Sequence, residues 1–184
     1  MISIKYSLIE MLNSLLYVLI YCNYGNSIDS LKGFLLSSLL IVIAGIDLKT
    51  HYIYKSTTIF GIGAFIFIEI IDLLISWQIP WENLLAGALG VIVIGVIVVF
   101  TGGMGEGDIE IALIIGLFLG IKGLMLALFI AFILGGIIAS IFLILKFKER
   151  KAEIAFGPYL AIGAIISLLY STEIINWYIS LMKI

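Results

Sequence analysis

Two aspartates carry the chemistry open to this chain. Asp108 closes a glycine-rich stretch, Gly102-Gly103-Met104-Gly105-Glu106-Gly107-Asp108, and Asp47 ends an apolar run well upstream. Two carboxyl groups brought close together cannot both ionise, so they share one proton. One then serves as base toward a water and the other as acid toward a carbonyl oxygen or leaving amine, which is what peptide hydrolysis requires. The two ionisations belong to the pair rather than to either residue. A site at the edge of hydrocarbon strengthens that coupling by lowering the local dielectric. Glycines beside it let another backbone approach closely. The competing acids are Glu106, inside the glycine stretch, and Glu110, which lies two residues past Asp108 and so projects from a different helix face. A single aspartate at the end of an apolar helix is ordinarily an interfacial residue, and that reading fits Asp47 taken alone. The glycines ahead of Asp108 set it apart.

Other chemistries are excluded by what is missing. No Lys-Ser/Thr follows the glycine stretch and no strand precedes it, so it is not a phosphate-binding loop. The single histidine, His51, rules out HExxH and multi-histidine metal sites, and the single cysteine, Cys22, rules out CxxC zinc sites and an internal disulfide. No metal and no cofactor are expected. His51 lies four residues after Asp47 and shares its helix face, but no G-x-S-x-G accompanies it, so it reads as an interfacial residue within reach of Asp47. A net charge of −2 gives no footprint for nucleic acid.

The elements that must hold the two aspartates are membrane helices. Of 184 residues 63% are hydrophobic and 12% charged, with mean hydropathy +1.27; a soluble domain has about 45–50% apolar and about 25% charged residues. The expectation is an all-α, polytopic integral membrane bundle of about six to seven transmembrane helices, one domain over 1–184. A span needs about 20 mostly apolar residues. The runs that satisfy this lie near 4–24, 31–47, 57–76, 84–101, 108–121, 123–145 and 155–170, followed by a tail with Trp177 and Tyr178 suited to the interface. The first is the weakest, because Glu10, Asn13 and Ser14 interrupt it; without an A-x-A site it reads as a retained span rather than a cleaved signal. Gly116 and Gly120 form a small-xxx-small pair suited to close helix packing. Glu69 and Asp72 read as interfacial acids facing water at the end opposite Asp108. Alternating seven spans puts Lys5, Lys49, Lys55, Lys146, Lys148, Arg150 and Lys151 on one side and Lys32, Lys122 and Lys183 on the other. The basic excess makes the first side cytoplasmic. Asp47 and the glycine stretch both fall there.

These segments resemble a known family. Gly103-Met104-Gly105-Glu106-Gly107-Asp108 is similar to the GxGD motif of the type IV prepilin and archaeal preflagellin peptidases. Ile46-Asp47, with Ile53 six residues after the aspartate, resembles the segment that carries the family's first catalytic aspartate. The segment from Ala155 to Gly163, with Phe156-Gly157-Pro158, resembles its late FGP-x-L-A-x-G segment. The family's proline after the isoleucine is Tyr54 here, and the basic residue it often carries two positions past the second aspartate is Glu110. The resemblance implies a membrane aspartic endopeptidase with Asp47 and Asp108 catalytic and Gly103, Gly105 and Gly107 shaping the loop. Glu106 and Pro158 are candidate substrate contacts. It also implies a prepilin-like or preflagellin-like precursor as partner, cut at its basic leader in a type IV pilus or related system. The protein would be multi-pass in the cytoplasmic membrane, surrounded by lipid, with its site at the cytoplasmic face. By the same resemblance it is a short form, lacking the paired-CxxC insertion of longer members. Two rival readings stay open from the residues. One is an intramembrane GxGD protease of presenilin type, against which stand Ile46 before Asp47 and Tyr159 after Pro158. The other is a small cation or proton transporter, against which stand the clustering of acids at one face and the lack of an internal repeat.

Overall fold

A computed structural model describes residues 4–101, 104–145 and 155–182. It contains six helices and, among the described residues, no strand: α1 (Ile4–Tyr24), α2 (Ile28–Thr50), α3 (Lys55–Ser76), α4 (Trp81–Thr101), α5 (Glu106–Ile144) and α6 (Gly157–Met182). Five of these, α2 to α6, are long and apolar enough to cross a membrane. The protein is therefore a multi-pass helical membrane protein, as its composition predicts. Its outer surface agrees: Phe67, Leu74, Val99 and Phe100 point outward, more than 60% exposed, where a water-soluble protein would place charge.

α5 is really two helices. At Gly120 the backbone takes φ 68° and ψ −175°, a region open essentially to glycine alone. The packing on either side shows that the chain reverses there. Before the break, Gly116 lies against Ala86, Gly90 against Ala112 and Gly95 nearest Ile109, so residues 106–119 run antiparallel to α4. After it, Gly123 O accepts from Ser167 Oγ, Gly163 lies against Ala127 and Gly135 against Phe156 and Tyr159, so residues 121–144 run antiparallel to α6. The two sequence-predicted spans near 108–121 and 123–145 are the arms of this hairpin. Gly120 thus makes the turn rather than the packing face expected of it, while Gly116 does pack closely: a Cβ there would run into the Ala86 backbone.

The 106–119 arm is the axis of the bundle. Ile111, Ala112, Ile114 and Ile115 are fully buried, packed among Leu36, Leu40 and Ile43 of α2, Phe65 of α3, Ile94 of α4 and Leu160 and Ala164 of α6. Burial here is close packing between helices more than escape from water, since lipid tails are as apolar as leucine. α1 attaches at the side, through Leu16 and Ile20 against Leu168 and Leu169. Glu10 and Ser14 are exposed, but other polar residues of α1 face protein, where their cost in lipid is met. Asn13 accepts from Ser38, Tyr17 bonds the same hydroxyl, and Tyr24 and Asn23 donate to the carbonyls of Leu168 and Leu169.

Two sequence expectations change. The tail is not a segment apart from the 155–170 span, because α6 continues unbroken from Gly157 to Met182, with Trp177 and Tyr178 exposed near its end. Glu69 is not an acid facing water. It is buried, with Lys32 Nζ 2.6 Å from its Oε1 and 3.7 Å from Asp72 Oδ2. The ammonium lies out of hydrogen-bonding alignment with Glu69 Oε1, so charge rather than a directed bond holds that contact. This triad ties α2 to α3 at the end of the bundle where Gly120 turns. A cavity of about 250 Å³ beside it is lined by Lys32, Glu82, Asn83 and Gly120 and lies away from both aspartates.

Candidate active site

Asp47 and Asp108 are both buried, 5% and 4% exposed. They line one cavity of about 380 Å³ at the end of the bundle opposite the Gly120 turn, together with His51, Ile53, Lys55, Gly105, Glu106, Gly107, Glu110 and Phe156. Asp47 reaches it from the last turn of α2, which ends at Thr50; the next residue, His51, takes a left-handed conformation and donates its N–H to the Asp47 carbonyl. Asp108 reaches it from the first turn of α5.

Each carboxylate is held the same way, by a backbone N–H at the start of a helix. Gly105, just ahead of α5, donates to Asp108 Oδ2 at 3.2 Å, and the Asp108 N–H returns a bond to the Gly105 carbonyl at 3.1 Å. Gly157, the first residue of α6, donates to Asp47 Oδ2 at 3.0 Å. The unpaired N–H groups and the positive end of the macrodipole make a helix start a natural seat for a carboxylate. In both aspartates the bond engages Oδ2. The arrangement has two carboxyl groups fixed in orientation, from different helices, facing one space.

The glycines differ in what they do. A Cβ on Gly157 would lie 2.6 Å from Asp47 Oδ2, and one on Gly107 would lie 2.8 Å from Ile53 Cβ, so both positions are closed to side chains. Gly107 is the floor on which buried Ile53 packs, and this fixes the α2–α3 connection over the cavity. Gly105 is different: a Cβ there would stay 4.0 Å from its neighbours, and the residue acts through its N–H and carbonyl. Gly103 lies outside the described residues, as do Lys146, Lys148, Arg150, Lys151 and Lys183. Glu106 lines the cavity and is exposed. Pro158 is buried at the second position of α6 and, among the described lining residues, it is Phe156 rather than Pro158 that faces the cavity. His51 lines the cavity but is exposed, and its hydrogen bond to Asp47 is made by backbone. Glu110 is not simply solvated: Oε2 accepts a 2.6 Å hydrogen bond from the buried Thr58 hydroxyl of α3. Among the described residues no cluster of ligands suited to a metal occurs.

Sequence reasoning passed over Gly157 and Thr58. Gly157 stood inside the FGP segment, but nothing local says that its N–H reaches a carboxylate 110 residues away. Thr58 gave no signal at all beyond being a hydroxyl near the start of a span.

Fold and site together define a multi-pass helical membrane protein with a pair of buried carboxyl groups facing one cavity. A family model described as the type IV leader peptidase family matches residues 34–140, a stretch that contains both aspartates, and the chain belongs to that family. Curated relatives agree. The chain is 29% identical over 181 residues to a protein of Bacillus subtilis named prepilin leader peptidase/N-methyltransferase, a match covering 98% of this chain and 72% of the relative. It is 28% identical to a protein of that name from Xanthomonas campestris and 29% to one from Neisseria gonorrhoeae, covering 97% of this chain and 63% of each relative. The chain therefore spans somewhat under two thirds of the length of these last two. No solved structure matches it.

Proposed function

We propose that this chain is a membrane aspartic endopeptidase that cuts the basic leader from prepilin-like or preflagellin-like precursors, with Asp47 and Asp108 as the catalytic pair. The observation that carries this reading is the cavity itself: two buried carboxyl groups from separate helices, each oriented by a helix N-terminal N–H, facing the same space. One of the pair, ionised, takes a proton from a water. The other, protonated, donates to the carbonyl oxygen of the scissile bond as the water attacks, and the roles return when the amine leaves. Gly105 and Gly157 each fill one acceptor site on an aspartate, and the remaining acceptor sites of the two carboxyl groups are the ones open to water and substrate. Glu106 and Glu110, at the same cavity, favour a basic leader over an acidic one. The names of the relatives support the substrate class.

The site end is the cytoplasmic end in this reading. Lys49 and Lys55 stand there with Asp47 and Asp108, whereas Lys32 and Lys122 belong to the Gly120 end. The cytoplasmic membrane is then the location, and lipid is the constant neighbour of the outward apolar faces.

The test is cleavage of a precursor in membranes by wild type, Asp47→Asn and Asp108→Asn. Asparagine keeps size and hydrogen bonding but cannot exchange the shared proton. Each variant is expected to lose at least about a hundredfold in rate while remaining inserted, the scale of a missing acid or base. Near wild-type cutting by either one would rule out the two-aspartate mechanism.

A further inference from the structure

α3 and α4 are neighbours in sequence, yet no Cα of one comes within 8 Å of a Cα of the other. Each leans instead on the 106–119 arm of α5. α3 meets it through Thr58 on Glu110 and Gly61 on Ile114, with Phe65 against Phe118. α4 meets it through Asn83 on the Leu117 carbonyl, Gly87 on Leu113 and Gly90 on Ala112. Helical spacing puts these two contact faces on different sides of the arm, and their facing edges form a strip. Exposure picks out that strip. Between residues 108 and 118, Ile109, Glu110 and Leu113 are partly exposed and every other position is buried. The gap between α3 and α4 is therefore a groove with this strip as its floor.

The α4 wall of the groove is low. A Cβ on Gly95 would have Ile109 as its nearest neighbour at 4.0 Å, whereas Gly87 is buried beneath the side chains of Leu117 and Leu113. Gly95 thus faces the strip with open space before it, and Val91, four residues earlier, shares its side. On the other wall, the Thr58–Glu110 bond fixes α3 at the edge of the floor. At its upper end the groove opens into the active-site cavity, because Glu110 lines both.

We propose that this groove receives the apolar helix of the precursor, the segment that follows the scissile bond. The inference rests on the peptidase reading above. Three features favour this occupant. The groove is continuous with the cavity where the cut is made. A segment entering from lipid must satisfy its own backbone and is therefore helical, and a helix needs about 8–10 Å between axes, an opening that two helices in contact would not leave. Gly95, without a side chain, permits close approach where the hydrophobic effect gives no help. The acids at the mouth then stand where the apolar helix ends and the basic leader begins.

The experiment uses full-length protein in membranes, with Cys22→Ser as background. Leu113→Cys and Val91→Cys are paired with a series of single cysteines along the apolar segment of a prepilin-like precursor, and Phe129→Cys, exposed on the other arm of α5, is the control. The expected result is disulfide formation at Leu113→Cys and Val91→Cys with a period near that of a helix, and only background at Phe129→Cys. In parallel, Gly95→Phe fills the groove without touching the aspartates. It is expected to cut the membrane precursor about a hundredfold more slowly, the penalty for shifting a substrate by about 1 Å, while the protein still inserts. Efficient cleavage by wild type with crosslinks that favour Phe129→Cys, or that join two copies of this chain, overturns the groove and leaves the peptidase reading intact. Wild-type speed from Gly95→Phe does the same. If wild type cuts no precursor, both fall.

Discussion

Gly157→Ala is the substitution in which the geometry speaks most directly to catalysis. The added Cβ would stand 2.6 Å from Asp47 Oδ2, 3.2 Å from its Cγ and 3.1 Å from Ile111 Cδ1. Ordinary contact begins near 3.4 Å, so the carboxylate must retreat by about 0.8 Å or α6 must back away by as much. Ile111 blocks one direction and is itself fully buried. Either movement also strains the 3.0 Å bond from the Gly157 N–H that orients Asp47. Overpacking of a single methyl costs about 1–3 kcal/mol in stability, which a bundle of this size tolerates. Displacing a catalytic group by about 1 Å costs about a hundredfold in rate. Activity should therefore fall far more than folding. The assay is precursor cleavage in membranes beside a thermal aggregation curve in detergent, with Gly136→Ala as companion, since a Cβ at Gly136 meets nothing within 4 Å. Gly136→Ala should match wild type in both. Wild-type cleavage by Gly157→Ala would mean that Asp47 is not held in a working position by α6, and the site as described would be wrong.

The other glycines of the loop separate in the same assay. Gly107→Ala drives a methyl into Ile53 and should lose about tenfold or more in cleavage, whereas Gly105→Ala finds open space and should stay within a few fold of wild type. At the turn of the α5 hairpin, Gly120→Ala forces a side chain into a conformation that costs about 1–3 kcal/mol, to be read as a lower midpoint of thermal aggregation with cleavage per folded molecule unchanged. Lys32→Met leaves Glu69 and Asp72 without their cation and should destabilise by about 3–5 kcal/mol, while adding Glu69→Gln and Asp72→Asn to it should recover most of that loss. If the triple variant is no better than the single one, charge is not what Lys32 supplies.

The sequence was legible where a single residue's chemistry is costly in its setting. Asp108 stands out because of the glycines ahead of it, and Asp47, an ordinary interfacial residue taken alone, stands out because alternating spans put it on the same face and its segment resembles the family's; the positions of the spans follow from hydropathy alone. What hydropathy does not carry is which face meets which. Lys32 and Glu69 look like unrelated interfacial charges until α2 and α3 are packed, and only then does the cost of either in hydrocarbon become the reason they meet. Gly120 shows the same limit from the other side. In sequence it is a glycine four residues after Gly116, indistinguishable from a packing motif; its positive φ appears only once the chain has to turn between two antiparallel arms.

Gly157 and Thr58 define the limit most sharply. A glycine needed for its missing side chain and a threonine needed for one hydrogen bond leave no periodic or charge signature, because each answers to a partner on another helix, Asp47 in one case and Glu110 in the other. Both partners are acids that the sequence did single out. The acids at a membrane edge thus mark where the site is, and the residues that complete it are the uncharged ones whose backbone or hydroxyl can meet a carboxylate without adding a second charge. By that logic the next residues to test are not the lysine or histidine of the cavity but the neutral donors behind its acids, Thr58 on α3 and Gly157 at the start of α6.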